Sequence, residues 1–121
     1  MAESRPGTQP GCLFCRIVTG ELPATVVHET ARTLAFRDLA PAAPTHVLVV
    51  PKDHYADITA LAAADPSYAG EVFAAASAVA EQEGLTGGHR MITNTGPDSG
   101  QTVGHLHVHV LGGRNLGALA G

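Results

Sequence analysis

The stretch Gly100–Arg114, GQTVGHLHVHVLGGR, places His105, His107 and His109 at a strict spacing of two. Successive side chains on a β-strand point to opposite faces, so residues i, i+2 and i+4 share a face with neighbours about 6–7 Å apart. A strand over residues 104 to 112 therefore lines up three imidazoles and turns Leu106, Val108 and Val110 toward a core. A solvated sheet face is the plain alternative, but three histidines in register argue for shared chemistry. Two chemistries use such a row. Imidazoles on alternate strand positions can hold a catalytic metal. Alternatively one neutral imidazole, with an ordinary pKa of about 6.5, attacks as a nucleophile while its neighbours donate to an anion or a leaving group.

The upstream flank bears on that choice. Ser99, Gly100, Gln101 and Thr102 combine small residues, whose backbone N–H groups can approach an anion, with an amide and a hydroxyl. Such a set suits phosphate better than metal. His46, His54 and His89 are distant in sequence and remain available to fold in.

The rest of the chain alternates short strands with helical segments. CLFCRIVTGELP carries Leu13, Phe14 and Ile17 at helical spacing and stops at Gly20 and Pro23, which predicts a helix of about two turns. ATVVHET and RTLAFRDL read as two short strands, and THVLVVPK, Thr45 to Lys52, as a central one. Pro41 and Pro44 exclude the intervening APAAP from a ladder, because proline has no N–H to donate. Asp65 is an N-cap, Pro66 fits a first turn, and Tyr68, Val72, Ala76, Val79 and Ala80 make one stripe up to Gly84. RMITNT is a further strand, and GPDSG leads into the histidine strand. Strands joined by short turns predict an α+β fold: an antiparallel sheet of about five strands, one long helix and one or two short helices. The stripe of the long helix fits its own sheet or a second copy equally well.

A chain of 121 residues, 45% hydrophobic and 15% charged, suits one domain, here residues 12–121 behind a polar Pro- and Gly-rich lead-in at 1–11 expected to be disordered. The net charge of -4 argues against a protein that works through non-specific contacts with nucleic acid or anionic lipid. The lead-in lacks the apolar region of a secretory signal, and no segment approaches the roughly 18 apolar residues of a membrane helix. A soluble, cytoplasmic protein without nucleic-acid or membrane partners is expected. In a reducing compartment the pair Cys12 and Cys15 suits metal binding or redox chemistry, the alternative being two buried apolar cysteines around Phe14.

HLHVHVL resembles the His-x-His-x-His-apolar-apolar signature of the histidine triad, or HIT, family. GELPATVVHE, LAFRDLAPAAPTHVLVVPKDH, RMITNTG, GQTV and HVLGGR resemble its Hint-like branch in order and spacing, over about residues 12 to 114. The resemblance implies a HIT-like fold and a homodimeric nucleotide hydrolase or transferase. Its substrates would be purine nucleoside 5′-phosphoramidates or related mixed anhydrides, with an AMP- or GMP-like nucleotide attacked at the α-phosphate. His107 matches the nucleophile that forms a nucleotidyl-histidine, His109 the residue that contacts phosphate and assists the leaving amine, and His46 a histidine supporting the triad, of which His105 is the first member. Asn94, Gly100, Gln101 and Thr102 match phosphate-side contacts, while Asp38 and Leu39 match the ribose-contacting pair. Phe14, Ile17, Leu22 and Phe36 fall at the nucleoside pocket.

Family members with an N-terminal Cys-x-x-Cys bind zinc, and the matching residues are Cys12, Cys15, His54 and His105. Four protein ligands make a closed, structural site, so catalysis itself is expected to need no cofactor. Two alternatives stand beside this reading. A dinucleoside polyphosphate hydrolase of the same family is disfavoured by LGGR, and a zinc-binding interaction protein with vestigial catalysis by retention of Asn94, Thr102, His107 and His109. The chain departs from the branch at Gly104, where an aromatic residue is common, at Thr102 for serine, and in the tail NLGALAG, which lacks Trp-Pro-Pro. Arg37 stands where some relatives have histidine and reads either as a solvated edge charge or as a base-stacking residue. His28 and His89 are expected at the surface.

Overall fold

Cys12 begins the first ordered helix by accepting a hydrogen bond from Cys15 N at 3.4 Å, and the elements that follow are each fixed by similarly local chemistry. The computed structural model describes residues 7–118. In chain order these form α1 (Leu13–Val18), β1 (Val26–Glu29), β2 (Thr33–Arg37), β3 (Thr45–Pro51), α2 (Ile58–Ala64), α3 (Pro66–Gln82), β4 (His89–Ile92), a 3₁₀ turn (Pro97–Ser99) and β5 (Val108–Gly112). The strands make one antiparallel sheet in the order β1-β2-β3-β5-β4, the α+β architecture that the sequence predicts. Residues 1–6 of the expected lead-in and residues 119–121 of the tail lie outside the described residues. Within the remainder of the lead-in, His54 N donates to Gly7 O at 3.0 Å.

Asp57 and Asp65 cap α2 and α3 through side-chain oxygens that accept from Ala60 N at 2.8 Å and Tyr68 N at 3.1 Å. Pro66 sits in the first turn of α3, where its missing N–H costs nothing. The helix then buries Tyr68, Val72, Ala75, Ala76, Val79 and Ala80 against Ala35, Val47, Val49, Val108 and Val110 of its own sheet. That resolves the question the periodicity left open. The other sheet face carries a smaller cluster in which Phe14 of α1 joins Leu34, Phe36, Leu48 and Val50. Among the described residues α1 and the segment before β5 cover this face, which also carries the histidines.

The last strand is shorter than predicted. It begins at Val108, not at residue 104, so His105 and His107 lie in irregular chain. The β3–β5 register pairs Val49 with Val108, and extending it would set Leu106 opposite Pro51, which has no N–H to continue the ladder. Leu106 N donates instead to Tyr55 O at 2.7 Å. The alternation nonetheless survives, because Leu106, Val108 and Val110 all enter the main core. At the other end of β5, Gly113 has φ +95°, and a Cβ there would meet Pro44 Cβ at 2.8 Å, so the chain turns away where only glycine fits.

Tyr68 is 1% exposed and binds three parts of the fold together. Its hydroxyl donates to Arg32 O at 2.7 Å and accepts from Asp53 N at 3.2 Å, while the Arg32 guanidinium lies 3.8 Å over the ring. Burial above all pushes its pKa up to about 12, so it remains a donor under all ordinary conditions. Tyr68→Phe takes the acceptor from Asp53 N and leaves Arg32 O with Lys52 N alone, and is expected to cost roughly 1–3 kcal/mol, read as a lower urea midpoint with an unchanged m value.

Candidate functional site

The ring of His107 is 7% exposed, and its Nδ1 lies 2.8 Å from the carbonyl oxygen of His105. A carbonyl only accepts, so His107 carries its proton on Nδ1 and presents an unprotonated Nε2. This is the tautomer that a nucleophilic imidazole needs. Thr93, at the end of β4, donates through Oγ1 to the His107 carbonyl at 2.9 Å and fixes the same residue from the other side. In the sequence, only its place directly before Asn94 in ITNTG marks Thr93.

A second pair of rings stands beside it. His46 on β3 and His109 on β5 lie diagonally across the ladder, with His46 opposite Leu111 and His109 opposite Leu48. Ala42 N donates to His46 Nδ1 at 3.0 Å, which leaves the His46 proton on Nε2, and that nitrogen lies 2.9 Å from His109 Nδ1. His109 therefore accepts at Nδ1 and carries its own proton on Nε2. Burial, aided by the nearby His107 and His46 and opposed by Asp38, lowers the His109 pKa to about 4. Its ring centroid is 5.0 Å from that of His107. Asp38 Oδ1 accepts from Ala40 N at 2.8 Å and Oδ2 lies 3.4 Å from His46 Nε2, which leaves this carboxylate with lone pairs for sugar hydroxyls.

Asp38, His46 and His109 also lie within the 4.8 Å that a shared metal ion would require. The bond from Ala42 opposes that use, because a metal on His46 Nε2 would force the ring proton onto Nδ1, against the Ala42 N–H. The three residues form a hydrogen-bond relay.

The loop that carries the residues matched to phosphate contacts is tied together by its own side chains. Gln101 donates to Ala56 O at 2.7 Å and to Val103 O at 2.9 Å, and its Oε1 accepts from Gly96 N at 2.8 Å. Its amide thus holds the loop in shape. Asn94 donates to Ser99 O at 2.9 Å, and Gly100 closes the 3₁₀ turn with φ +89°. Thr102 is exposed. Around the expected nucleoside pocket, Phe14 and Phe36 are buried and meet edge to face at 5.6 Å, Ile17 packs on them, Leu22 is half-buried, and Leu39 is 99% exposed. Arg37 does not stack there: next to Phe36 in β2 it points to the opposite sheet face, where Glu83 binds both arms of its guanidinium at 2.8 and 3.1 Å. His89 is exposed and His28 half-buried. A cavity of about 650 Å³ lies elsewhere, among residues 84–90 and 113–117.

Beneath the triad, Cys12 Sγ and Cys15 Sγ lie 3.3 and 3.5 Å from His105 Nδ1, and Cys15 Sγ lies 3.4 Å from His54 Nδ1. His105 Nε2 donates to Pro51 O at 2.9 Å, so its Nδ1 lone pair faces the sulfurs. Burial raises the Cys15 thiol to about 11 and lowers His105 to about 4 and His54 below its ordinary value. Two neutral imidazoles and two thiols, all within 4.8 Å, fit a divalent cation that displaces the thiol protons and takes four donors.

The HIT domain model matches residues 19–116, and the chain belongs to this family. An uncharacterized HIT-like protein from Synechococcus elongatus is 48% identical over 104 residues, spanning 86% of this chain and 91% of that protein. A 14 kDa zinc-binding protein of Zea mays is 45% identical over 107 residues, covering 86% and 83% of the two chains. Among solved structures, a HIT family hydrolase from Clostridium thermocellum superposes with a TM-score of 0.88 at 42% identity, covering 93% of this chain and 98% of that one. No helix among the described residues is long and apolar enough to cross a membrane.

The depressed His109 pKa carries a sign for stability. The unfolded chain binds a proton at about 6.5 that the folded site refuses until about 4, so this contribution is complete above 6.5 and lost as pH falls toward 4. In His109→Gln the urea midpoint should fall less steeply between pH 6.5 and 4 than in the unmutated protein. Equal slopes would show that His109 titrates alike in both states.

Proposed function

We propose that the protein hydrolyses purine nucleoside 5′-phosphoramidates through a covalent nucleotidyl-histidine. The carrying observation is the His107 Nδ1 contact with the His105 carbonyl, which leaves a lone pair on Nε2. That nitrogen attacks the α-phosphorus and the P–N bond breaks. The leaving nitrogen takes the Nε2 proton of His109, His109 Nδ1 takes the Nε2 proton of His46, and solvent reprotonates His46, so the amine departs neutral. Water then attacks phosphorus, the P–Nε2 bond breaks to restore the His107 lone pair, and the proton that water loses passes to solvent. Asp38 accepts from the ribose hydroxyls beside the exposed Leu39, and donors around Thr102, Gly100 and Asn94 face the developing phosphate charge.

Cys12, Cys15, His54 and His105 hold zinc in this reading, supported by the donor set and by the similarity to a zinc-binding protein. Zinc there would bind the segment before β5 to α1. The nucleophilic scheme runs through imidazoles, so the metal has a structural part. Residues 12–121 act as one domain, and two copies pair as a homodimer. The outer edge of β4 has no neighbouring strand within the sheet, which offers a place for pairing. Reduced cysteines suit a cytoplasmic setting.

The test is AMP release from adenosine 5′-phosphoramidate in buffer containing EDTA. The unmutated protein is expected to turn over, and His107→Gly to be inactive with an unchanged circular dichroism spectrum. Activity in that variant overturns the mechanism. For the zinc site, added Zn²⁺ should raise the melting temperature of the unmutated protein and leave that of Cys12→Ala unmoved. Equal responses would remove the metal from the account.

A further inference from the structure

We propose that His105 is a positioning residue through which metal binding at Cys12, Cys15 and His54 sets the tautomer and aim of His107, an inference that rests on the zinc reading above. The ring of His105 is completely buried and engaged at both nitrogens, with Nε2 donating to Pro51 O at 2.9 Å and Nδ1 turned to the two sulfurs. Its main-chain carbonyl accepts the Nδ1 proton of His107 at 2.8 Å. One residue thus has its side chain in the metal cluster and its backbone in the active site. Irregular chain joins the two roles, because β5 begins only at Val108 and no ladder holds His105 in place. A metal bond replaces a weak thiol contact as the anchor on the Nδ1 side.

A second route runs from the same cluster. Phe14 lies between the two cysteines on α1, and its ring meets those of His105 and His107 edge-on, with centroids 5.9 and 5.2 Å apart. The turn that carries both sulfurs therefore also packs the ring of the proposed nucleophile. When the carbonyl of His105 moves, the two neutral tautomers of His107 compete, and the Nε2–H form has no lone pair with which to attack. Metal occupancy then governs the fraction of competent sites, which alters kcat and leaves substrate binding largely alone.

The experiment compares zinc-loaded protein, protein dialysed against a chelator, and a Cys12→Ser, Cys15→Ser double variant, each below its melting temperature. Ring nitrogen NMR shifts report the His107 tautomer independently of turnover. A single Nδ1–H tautomer is expected with zinc and a mixture without it. Metal-free kcat for adenosine 5′-phosphoramidate should fall about tenfold, with KM changed by no more than about twofold. A purely structural metal would lower melting and leave shifts and kcat alone, and that result overturns the proposal. Failure to bind zinc overturns it as well, as does unfolding of both metal-free forms, which would make the cluster a requirement of the fold. Should no phosphoramidate turn over in any form, the substrate assignment fails, and the ring shifts alone decide the coupling.

Discussion

Pro51 has no N–H to give, and the arrangement of the site depends on that. The β3–β5 ladder runs from Thr45 and Gly112 to Val49 and Val108, and at the next matching position on β3 the donor is missing. The chain before Val108 is released from the sheet while its side chains keep alternating. Leu106 still fills the core, and His105 turns under the sheet edge toward the cysteines. Pro51 then uses its remaining polar group, the carbonyl, to orient that ring. A regular strand would carry three equivalent imidazoles on one face. The interruption makes them different: one buried among sulfurs, one aimed by a carbonyl, one joined to a neighbouring histidine.

The two faces of the sheet divide the work. α3 covers one with small and β-branched side chains, and the Tyr68 hydroxyl locks the β1–β2 turn and the loop after β3 to it. Little on that face is left to move. Among the described residues the opposite face is covered by the six-residue α1 and by irregular chain, so its packing is supplied by Phe14 and Phe36 and by the cysteine–histidine cluster. A helix that short has marginal stability by itself. Cross-linking its N-terminal turn to His54 and His105 is a physically economical way to hold it, and this is where a metal has most to stabilise.

Much of this was legible in the sequence, for identifiable reasons. The stripe from Tyr68 to Ala80 has helical period and a capped start, and strands rich in Val and Thr flanked by Pro and Gly leave few alternatives. The pair Cys12 and Cys15 reads as a metal or redox pair, and in the structure both sulfurs lie within reach of His105 Nδ1. The sequence extends β5 to residue 104 because period-two alternation continues through residues 105–107 without the ladder, and a pattern of side chains cannot report a missing donor across the sheet. Arg37 was ambiguous for a related reason. Its neighbour Phe36 faces the site, and Arg37 must face away, but its partner Glu83 lies at the far end of α3. Gln101 carries a family motif, yet its amide is consumed by Ala56, Gly96 and Val103, contacts that only the folded loop creates.

Proton placement in this site is the work of the main chain. His105 is oriented by the carbonyl of Pro51, His107 by the carbonyl of His105, and His46 by the N–H of Ala42. None of these groups titrates, so the tautomers they select persist across the pH range in which the imidazoles stay neutral. A carboxylate in the same place would stabilise a charged ring and raise its pKa, trading a neutral nucleophile for an imidazolium. Asp38, the one acid close to the relay, stands 3.4 Å from His46 Nε2, at the far side of the relay from His107. That contact sets a negative charge beside His46, while the His107 ring is oriented by a neutral main-chain carbonyl.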